Sequence, residues 1–160
     1  MKTLKITKKD LDKDNYYIGK EDVTDYDGHI EIDNSLGYVR FKKGLRARGY
    51  IVAGAGSGIE AGEGIKAGSG IKAGSGIEAG SGIEAGLSIA CKTLSSGLRV
   101  FAGLCLWENP KPEDMQIRCE ELIEGEIAFG ELVITKPKQE RCEGKIIEVD
   151  GKKFKLMEVK

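Results

Sequence analysis

The sequence has one histidine, His29, one tryptophan, Trp107, three prolines and only 6% aromatic residues. A single histidine excludes catalysis by paired histidines and any metal site with two histidine ligands. So few prolines exclude a collagen, and isoleucine, leucine and valine are too plentiful for a disordered linker protein. No long apolar window is present, so no transmembrane helix is expected. The opening stretch MKTLKITKKDLDKD is charged throughout and lacks the apolar core of a secretory signal. A cytoplasmic location is the expectation.

Charge of one sign is also scarce. The net charge is −1, from 25 basic and 26 acidic side chains. Residues 1–50 carry 11 basic and 9 acidic groups, residues 51–107 carry 4 of each, and residues 108–160 carry 10 and 13. None of these regions has the clustered basic face of a nucleic-acid binder, so direct nucleic-acid binding is not expected. The four cysteines, at 91, 105, 119 and 142, show no Cys-x-x-Cys spacing.

What the chain has in excess is glycine, 23 of 160 residues, about twice the ~7% background. Twelve of these fall within residues 53–86, where they belong to a repeat. From Ile59 the chain reads IEAGEG, IKAGSG, IKAGSG, IEAGSG, IEAGLS, with isoleucine at 59, 65, 71, 77, 83 and 89. Upstream the frame continues as VRFKKG, LRARGY and IVAGAG, followed by a two-residue slip at Ser57-Gly58. Downstream, Leu98-Arg99-Val100, Leu104-Cys105-Leu106 and Ile117-Arg118-Cys119 echo it at irregular spacing.

Ile-x-Ala is a three-residue strand whose first and third side chains share one face. The middle positions are Glu60, Lys66, Lys72, Glu78 and Glu84, so the other face is wet. Glycine at this density excludes a helix. Gly-Ser-Gly then turns the corner, on the expectation that glycine adopts a positive φ there. A short strand and a tight corner, repeated, wind a single-stranded parallel β-helix (an all-β solenoid) with isoleucine and alanine stacked inside. Because that core is thin, bulkier flanking coils must close both ends. The expected organisation is an N-terminal cap at 1–38, the solenoid at 39–135 with regular hexads at 59–91 and a loop insertion at 108–116, a linker at 136–144 and a C-terminal β-hairpin at 145–160. The hairpin rests on IIEV, Asp150-Gly151 and KFKLMEV.

The coil length is open between three hexads, which make a left-handed triangular prism, and two, which make a flattened solenoid. At a stagger of 12, Glu60 meets Lys72 and Lys66 meets Glu78, all favourable; at 18, Glu60 meets Glu78 and Lys66 meets Glu84. The motif suits the three-hexad coil, against one repulsive pair.

The hexad resembles the hexapeptide-repeat motif of left-handed β-helices, with Ser69, Ser75 and Ser81 as its small residues. Lys66 and Lys72 depart from it. The stretch from IEIDNSLGYVRF through GIKAGSGIEAG to LSIACKTL and LRVFAGLCLW also resembles small β-solenoid proteins of bacteriophages and prophages. That group is largely of unassigned function. Some phage proteins of this size inhibit host defence, anti-CRISPR proteins among them. The hexapeptide resemblance alternatively implies a trimeric acyltransferase using a histidine base and an acyl-CoA donor, for which only His29 is available. A structural or assembly protein of a virion is a third reading.

Other sites fall away on composition. The repeat has no Gly-Lys-Ser/Thr phosphate loop. Nor is there an aspartate between Asp33 and Asp114 to build a calcium β-roll, or a threonine between Thr24 and Thr93 to build an ice-binding ladder. Cys91 and Cys119 take the inward alanine position and Cys105 an outward one, which reads as structural rather than metal-binding. No metal or other cofactor is expected, and no catalytic residue is assigned. Trp107, beside the Pro110 and Pro112 loop, either covers the core or anchors a partner. The candidate partner-binding residues are therefore Trp107, Glu108, Lys111 and Glu113 from the loop, with Glu60, Lys66, Lys72, Glu78 and Glu84 from the wet ladder. The expected partner is a protein, in the most concrete form a host nuclease or defence complex, and no membrane. Self-association through a solenoid face or the hairpin is a further expectation.

Overall fold

The computed structural model describes residues 1–105, 107 and 109–135 in full, and the backbone of 146–149 and 152–155. The chain is all-β and forms a parallel β-helix with three faces. The first face stacks β1 (Lys2–Ile6), β2 (Gly28–Ile32), β5 (Ile51–Ala53), β8 (Ile71–Ala73), β11 (Ile89–Ala90), β13 (Gln116–Cys119) and β15 (Glu131–Ile134) in that order. The second stacks β3 (Gly37–Phe41), β6 (Ser57–Ala61) and β9 (Ile77–Ala79). The third stacks β4 (Leu45–Ala47), β7 (Ile65–Ala67) and β10 (Ile83–Ala85). A long strand, β12 (Thr93–Ala102), bends across the second and third faces, and β14 (Glu121–Phe129) follows it. All these pairings are parallel and begin at β1, upstream of residue 39.

The coil length is settled by register. Ile59 lies opposite Ile77, Ile65 opposite Ile83 and Ile71 opposite Ile89, each three hexads on. One coil earlier the pairs are Val39–Ile59, Leu45–Ile65 and Ile51–Ile71, a spacing longer by the Ser57-Gly58 slip. Ser57 is fully buried there, its hydroxyl donating to the Asp33 carbonyl at 2.6 Å and accepting from the Leu36 N–H at 3.0 Å. A polar side chain thus satisfies a wider corner that the hexad geometry cannot. Inside the prism every Ile-x-Ala strand buries its first and third side chains, and Ile59, Ile65, Ile71, Ile77, Ile83 and Ile89 are at most 1% exposed.

The corner glycines correct the expectation of a positive φ. Among the described residues the glycines with positive φ are Gly37, Gly56, Gly103, Gly125 and Gly130, none of them at a corner of the regular hexads. The reason for glycine is instead the coil beneath. A Cβ on Gly68 would run into the Arg48 carbonyl oxygen, and one on Gly86 into that of Gly68. These same glycines donate their N–H groups to that coil, Gly68 to the Ala47 carbonyl and Gly86 to that of Ala67. Close backbone approach, not left-handed backbone, demands the missing side chain.

The N-terminal end is closed by residues 7–27. Thr7 opens a 3₁₀ turn at Lys8–Asp10, its N–H and hydroxyl both donating to the Asp10 carboxylate at 2.9 Å. These bonds hold the Asp10 pKa below its usual value. The segment then runs as an irregular extra coil, with Tyr16 bridged to Arg40 and Tyr26 to Ala47. Leu11 and Val23 are buried against the core, and Tyr17 and Tyr26 pack on it. At the other terminus, β16 (Ile146–Val149) and β17 (Lys152–Lys155) form an antiparallel hairpin. The turn of that hairpin and the linker at 136–144 lie outside the described residues. Among the described residues no helix is long and apolar enough to cross a membrane.

Candidate functional site: a walled groove on the third face

The middle residues of β4, β7 and β10 are Arg46, Lys66 and Glu84, which stand opposite one another along the third face. They form the floor of a groove of about 560 Å³. One wall is the Asp25-Tyr26-Asp27 stretch of the N-terminal cap, held by the Tyr26 N–H to the Arg46 carbonyl and the Arg48 N–H to that of Tyr26. The other wall is Leu104 and Trp107, from the loop that leaves β12. The loop leaves through Gly103, whose φ of +90° and contact with Met115 admit no side chain.

The floor is neutralised from within. Arg46 pairs with Asp25 at 3.5 Å, Arg48 with Asp27 at 3.1 Å, and Lys66 with Glu84. These pairs are exposed and each adds at most about 1 kcal/mol to stability. Their effect is to leave three basic and three acidic groups matched, with no surplus charge among the described lining residues. Along the same face the column continues through Phe101, opposite Glu84, and Phe129, opposite Phe101. The face therefore grades from charged to aromatic toward the C-terminal end.

Trp107 is 86% exposed at the rim, so it does not cover the core. Of the residues expected to bind a partner, the structure gathers Trp107, Lys66 and Glu84 around this groove. The others are dispersed. Glu60 is on the second face, bonded to Arg40 at 2.9 Å and beside Glu78. Lys72 is on the first face, between Val52 and Ala90. Lys111 and Glu113 stand at a 3₁₀ turn, Pro112–Met115, where the Lys111 N–H donates to Asp114. Glu108 lies outside the described residues. The wet ladder is thus divided among the three faces of the prism rather than continuous. Sequence reasoning missed the cap wall. Its signal was two opposite-charge pairs at one and the same spacing along the chain, Asp25 with Arg46 and Asp27 with Arg48.

His29 is engaged elsewhere. Its Nδ1 accepts the Tyr50 N–H at 3.2 Å, and its ring stacks on Tyr50 at 4.0 Å between centroids. The Tyr50 hydroxyl donates to Glu31 at 2.7 Å, which raises the tyrosine pKa. Cys119 is fully buried and Cys91 half-buried in the inward column, one coil apart. Burial, helped by the neighbouring Cys119, pushes the Cys91 thiol up to about 12, so it is protonated at neutral pH and a poor nucleophile. Among the described residues no three histidine, cysteine or acidic side chains gather to hold a metal ion.

Comparison with family models, with curated proteins and with solved structures finds no match to this chain.

Proposed function

We propose that this chain is a binding protein, a rigid β-solenoid that offers the third-face groove and its Trp107 rim to a protein partner and acts by occupying it. The observation that carries the reading is the tryptophan itself. An 86% exposed indole beside a charge-neutral floor is costly to leave in water and gains most from desolvation against another surface. The groove is lined from two parts of the chain far apart in sequence, 25–27 on one side and Leu104 and Trp107 on the other. The 25–27 side is bonded to the stack through the Tyr26 N–H to the Arg46 carbonyl, and a preorganised side of this kind lowers the ordering cost of binding.

The resemblance to phage and prophage β-solenoids makes a bacterial defence enzyme, such as a nuclease complex, the most concrete partner, inhibited stoichiometrically. The acyltransferase alternative has His29 as its only imidazole, and that side chain is committed to Tyr50 outside the groove. Affinity capture from a bacterial lysate, followed by mass spectrometry, tests the proposal. Wild type retains a partner in a fixed ratio and Trp107→Ala does not. Turnover of an acyl-CoA by the purified protein would overturn it.

A further inference from the structure

Among the described residues the last coil of the prism has no coil above it. β14 pairs only with β12 and β15 only with β13 among the described residues, so each leaves one backbone edge unpaired. The inward side chains show the same thing. Leu132 lies opposite Ile117 and Ile134 opposite Cys119; the lower partners are fully buried, while Leu132 is 38% and Ile134 50% exposed. Leu122 and Ile127, opposite the buried Leu94 and Val100, are likewise only partly covered. An apolar cross-section ringed by open strand edges is a surface that solenoids normally close.

We propose that the occupant of this end is the chain's own C-terminal segment, residues 136–160. It is tethered at the right place, because the last bond of the prism is the Thr135 N–H to the Cys119 carbonyl, on the open coil itself. Residues 136–145 reach up to roughly 33 Å when extended, enough to bring a hairpin back over the end. Charge selects the segment over a second copy. Residues 119–135 carry five glutamates and no basic residue, whereas residues 136–160 carry eight basic and five acidic groups. Two copies stacked end to end would oppose five glutamates to five. The segment also has apolar residues to offer, among them Ile147, Phe154, Leu156 and Met157, with Ile147 paired to Phe154 in the hairpin register. A two-stranded hairpin is marginal by itself and gains stability from such a surface.

Hydrogen exchange on the full chain tests this, with Phe154→Asp/Leu156→Asp as the variant that leaves the prism untouched. In the wild type the amides of 121–134 are protected. In the variant they exchange about tenfold or more faster while those of 59–90 are unchanged, as expected for loss of a local cover rather than global unfolding. Reversing Lys152, Lys153 and Lys155 to glutamate produces the same local loss, and high salt weakens the wild-type protection. Equal exchange of 121–134 in wild type and both variants overturns the proposal. So does protection that disappears on dilution together with a dimer in light scattering, which assigns the end to a second copy.

Discussion

The two ends of the prism cover the same kind of apolar cross-section in opposite ways. At the N-terminal end, residues 7–27 complete the first coil with β1, burying Leu11 and Val23 and leaving Ile6 with no exposure. At the C-terminal end, Leu132 and Ile134 stand half open. Between them the hexads are uniform, so closure is a property of the flanks and not of the repeat. The comparison also explains where the groove comes from. Its Asp25–Asp27 wall is part of the closing segment, so the material that covers the N-terminal end also shapes the third face. The C-terminal end, open among the described residues, has a strongly acidic rim instead.

The largest effect expected from breaking this comparison is in the shared middle. Ile71→Ala removes a fully buried side chain on which coils from both ends rest. It costs about 2–5 kcal/mol in urea unfolding. Gly86→Ala follows, at about 1–3 kcal/mol, because its Cβ meets the Gly68 carbonyl and only backbone movement relieves the clash.

At the open end, Leu132→Ala costs about 2 kcal/mol in the full chain and under about 1 kcal/mol in the Phe154→Asp/Leu156→Asp background, a coupling readable by a double-mutant cycle. Equal costs would leave the two ends truly different. The smallest effect is electrostatic. Glu78→Lys replaces the Glu60–Glu78 opposition by an attractive pair and stabilises the fold by a few tenths of a kcal/mol, measured by the shift in the urea midpoint.

The Ile-x-Ala hexads were legible because their burial pattern is strictly local. Each strand declares its own inward and outward side chains. Coil length was harder to read, since exposed charge pairs are too weak to dictate register. The fold tolerates Glu60 beside Glu78 and takes Lys66 beside Glu84 and Arg40 beside Glu60 in return. The role of Gly68 and Gly86 was hidden because their constraint comes from a carbonyl a full coil back along the chain. The groove was half legible. Trp107 announced itself by type and by the neighbouring prolines, but the Asp25–Asp27 wall depends on a cap whose irregular coil follows no hexad frame.

Titration of the captured partner with wild type and Trp107→Ala tests whether the third-face groove binds a protein through Trp107. Trp107→Ala weakens binding at least about thirtyfold, the loss of about 2 kcal/mol that marks an interface hot spot, with the unfolding midpoint unchanged. Equal affinity of the two proteins for that partner would contradict binding through Trp107.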